Sequence, residues 1–223
     1  MTPDQISKWN AELRPKTPLE IVRWAIAHAG GRALVSTNFR PYEAVLLHLC
    51  TQAQPDIPVL WVDHGYNRPA TYRHAAQLKQ LLRLNVQTYA PRMTAARYET
   101  LYGPAPTPNN EPALKEFSAL MKLEPSQRGM RELAPTVWIT ALRKIQNPNR
   151  ASLDILSYDA TFGALKVSPV FYHSDAAMEA YLEQYNLPNE WDYFDPAKAD
   201  EKRECGLHAH WGAGALIAET VKR

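Results

Sequence analysis

Cysteine is scarce in this chain: 223 residues carry two, Cys50 and Cys205. Two thiols cannot build the disulfide framework that staples small secreted domains, so the chain reads as cytoplasmic. Long apolar runs are missing as well. No stretch approaches the roughly 20 apolar residues that cross a bilayer, and the opening "MTPDQISKWNAELRPKTP" has no apolar segment of signal-peptide length. Charge of one sign is missing too, because 25 basic residues face 23 acidic ones for a net charge of +2. That balance excludes a general nucleic-acid or membrane surface and makes any anion site local. Repeats and low-complexity tracts are absent.

What is present suits one α/β domain over residues 1–223, with 45% hydrophobic residues to build its core. In "TPLEIVRWAIAHA", Leu19, Val22, Ile26 and Ala29 recur at helical spacing; Thr17 serves as N-cap, Pro18 takes the first helical position, and Gly30 and Gly31 end the helix. The strand "ALVS" (33–36), the turn "TNFRP" and the helix "YEAVLLHLC" then form a first βα unit. The strand "IPVLWVD" (57–63), the turn "HGYNRPA" and the helix "TYRHAAQLKQLLRL" form a second, leading into the strand "NVQTYAP". Short apolar strands separated by helices predict a mainly parallel sheet covered on its faces. The stretch 101–114 holds four prolines and reads as a mobile surface loop, centred on about 103–112. Beyond it, "PTVWITALRKIQNPNRAS" reads as a strand entering a basic loop, "LDILSYD" and "ALKVSPVF" as a hairpin, and "DAAMEAYLEQYNLP" as a helix ended by Pro188.

In a doubly wound sheet the turns after the strands are where ligands sit. "STNFR" (36–40) brings two hydroxyls and an amide to a helix N-terminus; it is either a phosphate cradle or a simple cap, and it lacks the glycines of a Walker loop. Asp63 and Gly65 in "VDHGYNRPATYR" suit ribose or adenine recognition, or serve the turn's own geometry. Arg143, Lys144 and Arg150 in "ALRKIQNPNR", with Gln146 and Asn147, either clamp a polyanion or form a solvated cluster. Cys50, in "EAVLLHLC", reads as a small core hydrophobe. Cys205 differs: Lys202, Arg203 and His208 are neighbours of the kind that lower a thiol pKa, with Glu204 opposing them. A metal site of Cys205, His208 and His210 lacks a fourth ligand.

These pieces fall in the order of a known family. "KRECGLH" (202–208) resembles the C-terminal signature of the phosphoadenylyl-sulfate (PAPS) and adenylyl-sulfate (APS) reductases. "STNFRPYEAVLLHL" is similar to their modified pyrophosphatase loop, and "VDHGYNRPATYR" to their "DTGY...PETY" segment. "KLEPSQRGMREL" (122–133), "WITALRKIQNPNRA" and "LKVSPV" follow in the same order, so the resemblance runs from about Arg14 to His208.

The resemblance implies a Rossmann-like adenine nucleotide α-hydrolase fold and a thiol-dependent reduction of PAPS to sulfite and adenosine 3′,5′-bisphosphate. Cys205 would be the nucleophile, with His208 beside it. Ser36, Thr37, Asn38 and Phe39 would hold the phosphosulfate or nucleotide, Asp63 and Gly65 the adenosine part, and Arg143, Lys144, Arg150 and Lys166 would neutralise phosphates and sulfate. Reduced thioredoxin or glutaredoxin would supply the electrons, since a single reactive thiol needs a partner to resolve its adduct. A homodimer is common in the family. Relatives that bind an iron–sulfur cluster carry a Cys-Cys pair where this chain has Phe117 and Ser118, and a second pair that is absent here. No cluster is therefore expected, which favours PAPS over APS. Three departures stand out: residues 191–202 are short and lack a "GDxHST"-like element, Ala141 and Asn147 replace the usual Gly and Ser, and a tail follows His208. Other readings are a cluster-free APS reductase, an ATP-using relative, and a nucleotide-binding module without reductase activity.

Overall fold

The computed structural model describes residues 1–107 and 109–196. Among them, six strands form one sheet in the order β3-β2-β1-β4-β6-β5. The strands are β1 (Ala33–Thr37), β2 (Pro58–Val62), β3 (Asn85–Tyr89), β4 (Val137–Ile139), β5 (Leu156–Asp159) and β6 (Ala164–Val167). All neighbours pair in parallel except β5 with β6, the predicted hairpin. The helices are α1 (Pro3–Leu13), α2 (Pro18–His28), α3 (Glu43–Ala53), α4 (Pro69–Leu81), α5 (Ala95–Tyr102), α6 (Glu111–Ser118), α7 (Glu124–Leu133) and α8 (Asp175–Gln184), with a π-helical turn, Ala119–Leu123, between α6 and α7.

Side-chain alternation divides the sheet into two faces. Val35, Val59, Ile139 and Val167 point to the face covered by α2, α3, α4 and α8, where the larger core lies. Leu34, Leu60, Trp138 and Ala164 point to the other face, against Met130 of α7. Thr17 is the N-cap of α2 as predicted, and the structure completes a capping box with Glu20: Thr17 Oγ1 accepts from the Glu20 N–H, and Glu20 Oε2 accepts from the Thr17 N–H. The exposed edge is handled by one buried side chain. Asn10 of α1 accepts from the N–H of Leu156 at 2.8 Å and donates to its carbonyl at 3.2 Å, standing where another strand would pair with β5.

Two elements depart from the sequence reading. The proline-rich stretch is not loop throughout, because helix resumes at Glu111 with Pro112 in its first turn, where a missing N–H costs nothing. The Asn110 side chain caps that helix by accepting from the Ala113 N–H at 3.2 Å. In addition, "EPSQRGMREL", to which the sequence reading gives no secondary structure, forms α7, a helix poor in apolar residues. It buries Met130 together with the small Pro125, Ser126 and Gly129, which let the helix lie close to β2 and β3.

The order in which strands are added reverses at β1: β2 and β3 extend to one side of it, and β4 begins the other. The carboxyl ends of β1 and β4 therefore flank the switch point, where open α/β sheets place ligands.

Gly129 tests the tight packing of α7. A Cβ there would stand 2.7 Å from Leu60 Cδ1 and 3.0 Å from Tyr89 Cδ2. Overpacking costs about 1–3 kcal/mol, against about 1 kcal/mol of helix propensity gained by alanine. Gly129→Ala is expected to lower stability by a net ~1 kcal/mol, measured by urea denaturation.

Candidate active site

The loop after β1 is built around a carboxylate rather than around glycines. Glu43, buried at the start of α3, accepts from the Thr37 hydroxyl at 2.7 Å, the Asn38 N–H at 2.7 Å and Arg40 Nε at 3.0 Å. The Phe39 N–H donates to Thr37 Oγ1 at 3.0 Å. These bonds hold Phe39 and Tyr42 at φ 54° and 71°, left-handed conformations that non-glycine residues adopt only where their surroundings enforce them. Thr37 thus shapes the loop, and its hydroxyl is committed to Glu43. Ser36 points to the opposite face, where its Oγ accepts from Trp138 Nε1 at 2.8 Å and keeps a proton to donate.

The turn after β2 is organised by Asp63. Its Oδ1 accepts from the Gly65 N–H at 3.1 Å, Asn67 Nδ2 at 3.2 Å and the Tyr72 hydroxyl at 2.7 Å. Burial and the bond to Asp63 push the Tyr72 pKa up to about 12. Gly65 has φ 78°, and a Cβ on it would meet Ala95 Cβ at 3.3 Å, so this position needs glycine for the turn and for the approach of α5.

The basic loop after β4 contains two short 3-10 turns, Lys144–Gln146 and Pro148–Arg150. It does not present its three cations as one exposed cluster. Arg143 and Arg150 are buried, at 3% and 4% exposure, whereas Lys144 is exposed with its Nζ 5.8 Å from the Tyr172 ring. Arg143 bonds the His173 carbonyl at 3.3 Å and Asp175 at 2.7 Å, and its guanidinium lies 5.0 Å over the Tyr42 ring. Gln146 Oε1 accepts from Arg40 at 3.2 Å and from Arg150, linking the β1 loop to the β4 loop. Lys166 on β6 is buried beside Trp138, with its Nζ 4.5 Å from the ring centroid. Ser36, Trp138 and Lys166 thus form a row across β1, β4 and β6 on the α7 face.

Three further residues join this edge. His64, 5% exposed, accepts from the Tyr66 N–H through Nδ1 at 3.1 Å. Burial first, and then the positive Lys122, push its pKa down to about 4, against the opposing pull of Asp195 and Asp63. The ring is therefore neutral at pH 7 with its proton on Nε2. Lys122, on the π-helical turn, forms a buried ion pair with Asp195. His64 and Lys122 lie within the quoted "VDHGYNRPATYR" and "KLEPSQRGMREL" but are not singled out by the sequence reading, because a lysine in a helix or a histidine in a turn shows neither its burial nor its partners. Arg40 lies within the quoted "STNFR" yet earns a role only through Gln146.

Cys205 and His208 lie outside the described residues. Cys50, the cysteine among the described ones, is fully buried in the main core, and burial pushes its thiol pKa up. It is the predicted core hydrophobe. Phe117, at a position expected to hold cysteine in cluster-binding relatives, packs at 0% exposure against Tyr66, Tyr98, Leu114 and Met121. Among the described residues no three His, Cys, Asp or Glu side chains gather as a metal site, and no helix is long and apolar enough to cross a membrane.

A mainly parallel sheet flanked by helices defines a Rossmann-like fold of the adenine nucleotide α-hydrolase type. At the fold level it is similar to the crystal structure of phosphoadenylyl-sulfate (PAPS) reductase from Candida auris in a phosphate complex, with a TM-score of 0.75 and 21% identity over 85% of this chain and 89% of that one. Residues 32–191 match the phosphoadenosine phosphosulfate reductase domain, and the chain belongs to that family. Curated relatives named phosphoadenosine 5′-phosphosulfate reductase include one from a Synechococcus strain, 32% identical over 91% of this chain and 97% of its own length. Another, from Vibrio atlanticus, is 34% identical over 92% of this chain and 86% of its own length.

The neutral, buried His64 makes a pH prediction. Its folded pKa lies below its unfolded value, so the unfolded chain takes up the proton first, and stability is lost as pH falls from about 6.5 towards 4. Between pH 7 and pH 5, the wild-type protein is expected to lose about 2 kcal/mol more than a His64→Gln variant, measured by urea denaturation at each pH.

Proposed function

We propose that this chain reduces PAPS to sulfite and adenosine 3′,5′-bisphosphate in sulfate assimilation, through an S-sulfocysteine on Cys205. One observation carries the assignment of the nucleophile. Of the chain's two thiols, Cys50 is sealed in the core, and only Cys205 stands in a signature rich in cations. Membership in the family supports the substrate.

In the first step the Cys205 thiolate attacks the sulfur of the phosphosulfate. A sulfur–sulfur bond forms, the bond from sulfur to the bridging phosphate oxygen breaks, and the electron pair leaves with adenosine 3′,5′-bisphosphate. The departing nucleotide carries negative charge, which Arg143, Arg150 and Lys166 meet from largely dry positions where charge–charge terms are strong. Lys144 reaches the same anion from the exposed rim. Ser36 donates its hydroxyl proton to a phosphate or sulfate oxygen, while Thr37, Asn38 and Phe39 shape the loop around it. Asp63 and Gly65 form the turn that receives the adenosine part. His208, three residues after Cys205, assists electrostatically or as acid/base.

In the second step a thiolate of reduced thioredoxin or glutaredoxin attacks the Cys205 sulfur, and sulfite leaves with the electron pair of the sulfur–sulfur bond. The resulting mixed disulfide is resolved by a second thiol of the donor system, which becomes oxidised by two electrons. The cycle needs no iron–sulfur cluster, in keeping with a chain of two cysteines. We assign it to the cytoplasm, where thiol donors are kept reduced, and to a homodimer as in other family members. The described fold and residues 195–223 act together as one reductase domain.

Intact mass spectrometry after adding PAPS or APS separately tests this reading. PAPS is expected to add one sulfo group to the wild-type chain and none to Cys205→Ser, and reduced thioredoxin is expected to remove the group as sulfite. Turnover by Cys205→Ser would sink the mechanism. An adduct with APS alone would change the substrate, and tight nucleotide binding without any adduct would make the chain a binding module.

A further inference from the structure

Between Leu187 and Pro196 the chain has neither helix nor strand, yet it is tied side chain by side chain to the carboxyl edge of the sheet. Asn189 accepts from the N–H of Tyr42 at 2.8 Å, and the Trp191 ring stands edge-on to Tyr42 at 5.2 Å, both at the start of α3. Asp192 pairs with Arg68, the N-cap of α4, and its carbonyl accepts from the Thr71 hydroxyl at 3.4 Å. Phe194 lies under the same Arg68 guanidinium at 5.6 Å. This strap ends at Asp195, paired with Lys122.

The contacts along the strap are unequal. Trp191 and Phe194 are 63% and 46% exposed, and the Arg68–Asp192 pair is about half exposed. Pairs of that kind fix a position weakly. At the Lys122–Asp195 pair the two side chains are only 2% and 3% exposed. Burying two charges is no better for stability than burying two apolar side chains of similar size, and is often worse. What such a pair does supply is registry, since a strap displaced by one residue would carry the carboxylate away from a buried lysine. Lys122 also sits on a π-helical turn, a feature frequent at functional sites. Asp195 precedes Cys205 by ten residues, which span at most ~35 Å when extended.

We propose that Asp195 is a positioning residue for the reaction: its buried pair with Lys122 sets the register of the 189–195 strap over the carboxyl edge, and so fixes the point from which the segment bearing Cys205 begins. This rests on the reading of Cys205 as the sulfur acceptor. The pair thereby acts on the geometry of attack rather than on the affinity for nucleotide.

Single-turnover formation of the S-sulfo adduct, followed by quenching and intact mass, is compared with the affinity for adenosine 3′,5′-bisphosphate measured by calorimetry. Asp195→Asn is expected to slow adduct formation about 100-fold, the penalty of an ångström-scale misplacement, with bisphosphate affinity unchanged. Asp195→Glu, which keeps the charge, is expected to recover most of the rate. A wild-type rate in Asp195→Asn, or a loss of rate matched by an equal loss of affinity, would overturn the proposal. If Asp195→Asn does not fold, the paired variant Lys122→Met with Asp195→Leu replaces both charges by packed apolar groups and is expected to fold. Slow adduct formation with intact bisphosphate affinity in that variant supports the proposal, and a wild-type rate overturns it. Failure of wild-type protein to form any adduct would instead count against the reading of Cys205.

Discussion

The buried carboxylate of Glu43 is the interaction on which the rest of the site depends. A carboxyl group with little access to water must have its oxygens met by donors, and here the donors are the Thr37 hydroxyl, the Asn38 N–H and Arg40. Satisfying it bends the chain so that Phe39 and Tyr42 enter left-handed conformations without glycine. It also aims Arg40 at Gln146, which gathers Arg150 and the backbone of Arg143. One carboxylate thereby joins the loops after β1 and β4 across the switch point of the sheet. Loss of Glu43 would leave the loop's donors unmatched and uncouple the two sides.

The same edge separates cations by their surroundings. Arg143, Arg150 and Lys166 are packed against protein, which restricts their rotamers before any ligand arrives. Side chains ordered in this way would have little ordering cost left for an anion to meet. Lys144 stays in solvent beside the Tyr172 ring, where its charge is screened. Trp138 ties the row together, donating to Ser36 and lying against Lys166, so one indole relates a hydroxyl on β1 to an ammonium on β6.

Much of this was legible in the chain itself. The strands and helices from Thr17 to Tyr89 announce themselves through apolar runs, helical spacing and caps, and the hairpin of β5 and β6 does so through its alternation. α7 receives no element in the sequence reading, because it meets the sheet largely through Pro125, Ser126 and Gly129, small groups that do not stand out as an apolar run. The start of α6 was obscured by Pro112, whose missing N–H matters in a helix interior and not in a first turn. The motif "KRECGLH" marked Cys205 by residue type and order alone.

The sequence by itself determined the αβ alternation, the family, and Cys205 as the thiol with cationic neighbours, because these depend on local spacing and on residue identity. Only the tertiary structure decided that Arg143 and Arg150 are buried while Lys144 is not, that Thr37 serves Glu43, and that Lys122 meets Asp195 across 73 residues of sequence. Burial and pairing at long range are properties of how elements pack. A one-dimensional pattern carries the period of each helix and strand, but not the distance between side chains that the fold brings to the same edge.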